Sequence, residues 1–545
     1  MKIYRLPTDE SAVPEHERSV ALGLFDGIHI GHRAVIASAR LAGHGLCAVY
    51  TFSPSTIYTK PDRRLLVSPA ERQRILDSMG VSELFETDFS SVCHLTPEAF
   101  VQEILQDRLH ATAVTCGFNY RFGKGGIGDA ELLKRLCAAR GIAVTVVPAV
   151  TVTDLPVSST AIRKALDDGD MASARRMLGY GYSLTLPVTH GQHLGGRLGM
   201  PTINQILPTD MALPRFGVYA SCVQVDGQTL YGVTNIGMRP TVGADAPLAE
   251  TWLEDYDGDL YGKTVSLWLI QHLRDEQVFA SLEELRKQVR ADAAYAHALF
   301  HHVDGIRAVL FDFDETLHNW SKAFRQACDK FLRRHYPTLS DEIREQRIAD
   351  MIAYADYGYD MPCSYAEYVH KYLHSWEPTD SADEAIALNE FLHDFASAVV
   401  VSDDVLPTLK ELRSRGYLLG IVTNGVSYLQ NSKVDYAKLR SYIDLTVVSS
   451  DEGVRKPSAE LFRRAAARLG VACEACIYVG DNPINDIGGA LAAGMIPIRI
   501  DLGFPPEHPT YSTPLPAHVT EIHHLSELLT LPSLSDDRSP LDPMR

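Results

Sequence analysis

The chain has 545 residues, 46% of them hydrophobic and 22% charged, which suits roughly three to four globular domains with room for several cores. Fifty-one Lys and Arg stand against 69 Asp and Glu, a net charge of −18 that argues against a nucleic-acid partner but leaves local nucleotide sites open. The opening MKIYRLPTDE lacks the apolar core of a signal peptide, and no run approaches the ~18 apolar residues of a membrane span. Nine scattered cysteines, odd in number, point to reduced thiols in a cytosol. Cys473 and Cys476 form a lone C-x-x-C, read as two positions on a helix face.

Residues 18 to about 178 alternate apolar strands (SVALGLF, LCAVYTF, TAVTCG, IAVTVVPAV) with helical stretches, the pattern of a parallel sheet covered by helices. From 181 to about 280, short β-rich runs between Gly, Pro and Asp turns suggest a small antiparallel barrel or sandwich. A helix from SLEELRKQ closes this block, with Ser281 and Glu284 spaced as a capping box. From 306 to about 530 the βα alternation returns (RAVLFDFD, YLLGIVTNG, LTVVSS, ACIYVGD, IPIRID), interrupted by an inserted helical cap at about 318–402. The expected divisions are 1–178, 179–303 and 304–530, followed by a disordered tail at 531–545.

Three constellations carry chemistry. In the first, Gly23, Phe25, Asp26, Gly27, His29, Gly31 and His32 end a strand and open a helix. Glycines admit a phosphate to the backbone, and a helix N-terminus offers free N–H groups and partial positive charge. With Asn119 in GFNYRFGKG and Ser159, Thr160 and Arg163 in SSTAIR, the segment resembles the adenylyltransferase module of FAD synthetases, within the H-x-G-H nucleotidyltransferases. The resemblance implies that FMN attacks the α-phosphorus of ATP, with His29, His32 and Arg163 neutralising the anions and Asn119 near the flavin or phosphate. Two positions depart from that family. Ser55 stands where a histidine is usual, and Gly126 where an arginine is usual.

In the second, Gly199, Pro201, Thr202 and Asn204 lie in GGRLGMPTIN, followed by NIGMRPT and by a cluster opening at Glu250. These segments resemble riboflavin kinases. The resemblance implies Thr202 and Asn204 as ligands to Mg²⁺ and nucleotide phosphate, and Glu250 as the base for the riboflavin 5′-hydroxyl. Trp252 replaces a commoner histidine.

In the third, Asp312 and Asp314 lie two apart at a strand end, with Thr423 closing another strand, Lys456 in RKP, and Asp481 and Asp486 in GDNPIND. Strand C-termini of open α/β sheets gather at one crevice. The order resembles the haloacid dehalogenase superfamily. It implies Asp312 as nucleophile, Asp314 as acid and base, and Thr423 and Lys456 on the phosphoryl group. Mg²⁺ would lie at Asp312, the Asp314 carbonyl and Asp481, with Asp486 supporting. Trp320, Tyr354, Tyr357, Tyr359 and Tyr365 of the cap are candidates to stack on a flat ring, or are cap core.

The expected protein is therefore a multidomain α/β enzyme. It combines a Rossmann-like nucleotidyltransferase domain, a small antiparallel β-barrel kinase domain and a Rossmann-like dehalogenase-type domain with a helical cap. Its substrates and products would be ATP, riboflavin, FMN and FAD. The phosphatase would act on a phosphate monoester such as 5-amino-6-(5-phosphoribitylamino)uracil, with FMN or general sugar phosphates as alternatives. A flavin- or nucleotide-binding scaffold is the alternative for the first module.

Overall fold

The computed structural model describes residues 1–545 apart from 43–44, 54–63, 153–154, 190–201, 226–227, 239–245, 255, 257, 302–304, 356–362, 377–382, 503–512, 517–518 and 535–545. Gly199, Pro201, Ser55, Arg239, Tyr357 and Tyr359 fall outside the described residues.

The first sheet is wholly parallel. Its strands are β1 (Lys2–Leu6), β2 (Arg18–Leu22), β3 (Leu46–Phe52), β4 (Glu83–Thr87), β5 (Ala111–Gly117) and β6 (Ala143–Val147), in the order β1-β4-β3-β2-β5-β6. Two of these strands, β1 and β4, lie outside the apolar runs of the sequence. Strand β4 (ELFET) hides two acids inside: Glu83 pairs with the fully buried Arg18 at 2.6 Å, and Glu86 pairs with Arg72. Helix α1 (Ile30–Leu41) follows β2, and α2 (Ser159–Asp168) follows β6, capped by the Ser158 side chain.

The second sheet is antiparallel: β7 (Ser183–Pro187), β8 (Thr202–Ile206), β9 (Gly217–Val225), β10 (Gln228–Met238), β11 (Pro247–Leu253) and β12 (Thr264–Arg274), in the order β8-β11-β10-β9-β12-β7. It curls into a half-barrel whose edges approach each other through a Thr189–Asn204 bridge. Its inward residues, among them Tyr219, Val223, Ile236, Ala249 and Leu267, share one core with Ile162 and Leu166 of α2, so first and second units are packed together. Helix α3 (Leu282–His301) closes this unit. The Ser281 hydroxyl accepts from Glu284 N as the capping pattern predicts, but the Glu284 carboxylate reaches back to Ala280 N, one residue earlier than expected.

The third sheet is again parallel: β13 (Ala308–Phe311), β14 (Leu418–Thr423), β15 (Leu445–Val448), β16 (Cys476–Gly480), β17 (Ile496–Ile500) and β18 (Thr520–Ile522), in the order β15-β14-β13-β16-β17-β18. Between β13 and β14 come the helices α4 (Trp320–His335), α5 (Asp341–Tyr354), α6 (Tyr365–His374) and α7 (Glu384–Ser397), which bury their own aromatic core. Helix α8 (Ser427–Tyr436) follows β14. Two expectations need correction. Cys473 sits in a short 3-10 turn and Cys476 opens β16, so they share no helix face. The ordered chain also reaches further than expected, because Leu534 is buried and its carbonyl accepts from Arg415 at 2.8 Å. None of the nine cysteines is in a disulfide.

Arg18 also donates to the carbonyls of His16, Leu109 and Pro14. Removing it leaves Glu83 charged and unpaired in the core. Arg18→Ala is expected to destabilise the first domain by about 3–5 kcal/mol, measured by urea unfolding.

Candidate active sites

The turn between β2 and α1 is held in an unusual backbone conformation. Phe25 and Ile28 take φ values of 49° and 32°, and Ile28 is β-branched, so both are costly. Gly27 lies at φ +81°, and a Cβ there would meet Leu66 Cδ1 at 2.7 Å. His29 is the N-cap of α1: its Nδ1 accepts from His32 N at 3.2 Å. The two imidazoles stack at 3.7 Å, placing both beside the free N–H groups of the helix start. Gly23 and Gly31 flank the turn, and a Cβ on Gly31 would lie 3.2 Å from the His29 ring.

Arg163 meets this turn through Asp26 rather than through the histidines: its guanidinium pairs with the Asp26 carboxylate and its Nε donates to Arg64 O at 2.8 Å. The Ser159 hydroxyl donates to Asp26 O at 3.0 Å, so α2 is stitched to the turn. Thr160 and Asn119 are exposed, Thr160 in the first turn of α2 and Asn119 just beyond β5. Gly126 has φ +67°, a left-handed position that an arginine would occupy only under strain.

In the half-barrel, the register sets Asn204 directly opposite Glu250, and Thr202 opposite Trp252. Cross-strand partners and residues two apart share a face, so Thr202, Asn204 and Glu250 lie on one side of the β8–β11 pair. Asn204 is buried, and its Oδ1 accepts no hydrogen bond among the described residues. An oxygen left without a donor fits a hard cation such as Mg²⁺. Asn235, opposite Glu250 on its other side, donates to Glu276 at 3.2 Å.

In the third sheet, neighbouring strand ends bring together residues far apart in sequence. Lys456 Nζ lies 2.5 Å from Asp312 Oδ1 and 2.6 Å from Asp486 Oδ1, and 3.3 Å from the Tyr478 hydroxyl. Carboxylate oxygens of Asp312, Asp481 and Asp486 all fall within 4.8 Å of one another. This is an all-oxygen set suited to Mg²⁺, which would neutralise the cluster and polarise a phosphoryl oxygen. Asp486 has its oxygens engaged by Lys456, Tyr478 and the backbone N–H of Asn482. It therefore serves the cluster by holding Lys456, while Asp312 and Asp481 face the cation position. Burial, reinforced by Asp486, pushes the Asp312 carboxyl up to about 7 despite Lys456.

Three residues that the sequence reading missed surround Asp314. Lys433 Nζ donates to it at 2.8 Å, Gln430 Nε2 at 2.8 Å, and His318 Nε2 lies 2.7 Å away. Burial alone would raise this carboxyl, but Lys433 and His318 outweigh it and hold it well below the usual carboxylate range. Gln430 also donates to the Thr423 hydroxyl at 2.7 Å. The Asn424 side chain clamps the Lys456 backbone, accepting from its N–H at 2.8 Å. The i, i+3 spacing of Gln430 and Lys433 on one helix after the TNG segment is the signal that would have found them. Of the cap aromatics, Trp320 is core, stacked on Phe324 at 4.5 Å, whereas Tyr365 is close enough to Asp314 that its charge, after burial, raises the phenol.

Helix α8 also touches the first domain. Arg40 of α1 donates to Tyr428 O at 3.2 Å and to Ser432 Oγ at 2.5 Å, and Arg33 reaches Asn431 Oδ1 at 3.5 Å. Elsewhere Thr229 of the half-barrel donates to Glu460 at 3.0 Å, and Arg468 lies over the Trp268 ring.

Three anion-handling sites on three packed units define an enzyme built from nucleotidyl-transfer, kinase and hydrolase domains. The FAD synthetase family matches residues 12–161, the riboflavin kinase family residues 178–300, and the haloacid dehalogenase-like hydrolase family residues 306–494. The bifunctional riboflavin kinase/FMN adenylyltransferase of Pseudomonas fluorescens is 35% identical over 294 residues, 52% of this chain and 94% of that protein. Its counterpart in Escherichia coli K12 is 33% identical over 313 residues, 55% of this chain and 98% of that protein. Among solved structures, the HAD-hydrolase YfnB of Bacillus subtilis is 22% identical with a TM-score of 0.33, covering 41% of this chain and 97% of that one. The chain belongs to the bifunctional riboflavin kinase/FMN adenylyltransferase family, with a haloacid dehalogenase-like hydrolase domain fused behind it. Among the described residues no helix is long and apolar enough to cross a membrane.

Lys433, together with His318, keeps Asp314 ionised. Removing the cation raises the carboxyl pKa, so the acidic limb of the pH–rate profile for Lys433→Met is expected to move to higher pH. Phosphate release from p-nitrophenyl phosphate, a generic monoester probe, measures it; an unmoved limb would assign the ionisation to His318 alone.

Proposed function

We propose that the chain phosphorylates riboflavin to FMN with ATP, adenylylates FMN to FAD, and hydrolyses a flavin-pathway phosphate monoester in its C-terminal domain. The observation that carries the third activity is the Asp312–Lys456–Asp486 cluster facing Asp481. In this reading the half-barrel places Glu250 to take the proton from the ribityl 5′-hydroxyl, with Thr202 and Asn204 holding Mg²⁺ and the nucleotide phosphates. In the first domain, the stacked His29 and His32 and the start of α1 receive the ATP phosphates. Arg163 fixes Asp26 and the turn, a positioning part rather than the direct neutralisation expected from sequence. FMN supplies the attacking oxygen and pyrophosphate leaves.

In the hydrolase, Asp312 attacks phosphorus to give an aspartyl phosphate, and the P–O bond to the alkoxide breaks as the alkoxide takes a proton from the carboxylic acid form of Asp314. Thr423 and Lys456 hold the phosphoryl oxygens. Asp314, held ionised by Lys433 and His318, is in the form that accepts a proton from the water that cleaves the intermediate. Its acid role in the first half requires that it first gain a proton against Lys433. Mg²⁺ at Asp312, Asp481 and the Asp314 carbonyl would supply charge neutralisation.

The preferred substrate is 5-amino-6-(5-phosphoribitylamino)uracil. Its hydrolysis feeds riboflavin formation, whereas hydrolysing FMN would undo the kinase on the same chain. A phosphate-release screen of the full chain should favour it over FMN and over simple sugar phosphates; preference for FMN rejects the assignment. Asp312→Asn is expected to abolish phosphate release and leave FMN formation intact. Glu250→Gln should lower riboflavin phosphorylation by about 10²–10⁴ in turnover, leaving phosphate release unchanged. Incubation with FMN, ATP and Mg²⁺ should yield FAD and pyrophosphate; neither product would mean that the first domain is a binding scaffold.

A further inference from the structure

A second group of ligating side chains lies on the outside of the cap. His370 and His374 stand one turn apart near the end of α6, and Glu384 opens α7. All three are exposed. His370 Nδ1 lies 3.0 Å and His374 Nε2 2.9 Å from the same Glu384 oxygen, and the three ligand atoms fall within 4.8 Å of one another. The i, i+4 spacing aligns the imidazoles on one helix face, and they converge by presenting different ring nitrogens. The one cation between them in sequence does not compete for the carboxylate: Lys371 Nζ sits 3.3 Å over the Tyr354 ring.

We propose that His370, His374 and Glu384 bind a divalent transition cation of the zinc type. The donor chemistry selects it. Two neutral imidazoles and a carboxylate suit Zn²⁺, whereas Mg²⁺ prefers all-oxygen sets such as the one at Asp312 and Asp481. The geometry is close to what such an ion needs. Ligand bonds of about 2.0–2.1 Å in a tetrahedron put ligand atoms roughly 3.3 Å apart. The two observed N···O separations are therefore a few tenths of an ångström short, a change within reach of exposed rotamers. Water would take the fourth position. The ion would tie the end of α6 to the start of α7, fixing the edge of the cap.

The test uses the full chain, stripped with a chelator and kept in excess Mg²⁺ so that oxygen sites are filled. Zn²⁺ is titrated by calorimetry into the wild type and into His370→Ala/His374→Ala. The wild type is expected to bind one more equivalent than the double variant. Equal stoichiometry overturns the proposal. Electron paramagnetic resonance of the Cu²⁺-loaded chain provides the second readout. Imidazole nitrogen coupling should be present in the wild type and reduced in the double variant, and an unchanged spectrum overturns the assignment. Glu384→Gln, which keeps both imidazoles, should weaken Zn²⁺ binding without abolishing it; unchanged affinity removes Glu384 as a ligand. Circular dichroism checks that the variants, altered only at exposed positions, are folded.

Discussion

A carboxylate taken out of water must be met by a cation or it will not stay ionised, and this constraint shapes every unit of the chain. Arg18 meets Glu83 inside the first sheet, Arg163 meets Asp26 at the phosphate-type turn, and Arg274 meets Asp292 at 2.6 Å where α3 covers the half-barrel. In the hydrolase domain the same rule becomes chemistry. Lys456 is shared between Asp312 and Asp486, and Lys433 is given to Asp314. Two aspartates only two positions apart thereby sit in opposite electrostatic situations, one lifted by burial and a neighbouring acid, the other held down by cations. Asp312 and Asp314 differ because their partners differ.

The fold was legible wherever burial wrote an apolar run. Strands such as LCAVYTF and ACIYV announce themselves because both sheet faces are covered. Strand β4 does not, because Glu83 and Glu86 break its pattern and are tolerated only through arginines distant in sequence. Register was invisible for the same reason of distance, yet it is the register of β8 against β11 that faces Glu250 with Asn204. Most motif residues of the hydrolase could be read because Asp312, Asp314, Thr423 and Asp481 lie at or just beyond strand ends of one sheet, with Lys456 and Asp486 in the segments that follow. Their keepers were harder to read: Gln430 and Lys433 carry only their i, i+3 spacing after TNG and reach Asp314 across the tertiary fold, while His318, four residues from Asp314, shows its contact only in the folded loop. Arg163 shows the opposite case, a residue legible as part of a motif whose contact, with Asp26, only the packed structure reveals.

Helix α8 joins two of the domains into one mechanical object. On one side Gln430 and Lys433 address Asp314 and Thr423. On another, Tyr428, Asn431 and Ser432 receive Arg33 and Arg40 from α1, the helix whose first turn carries His32. Arg33 is buried enough there that desolvation, then Arg440, brings its guanidinium down to about 10. It also lies over the Tyr180 ring, whose hydroxyl donates to Gly27 O at 2.6 Å.

Severing the chain ahead of β13 would thus do more than shorten it. Tyr428 and Ser432 would lose Arg40, Asn431 would keep only Arg440, and the face of α8 turned towards α1 would be bared to solvent. A liberated hydrolase fragment is in that respect a different molecule from the fused one, and rate constants collected on the fragment would describe a site with slacker walls.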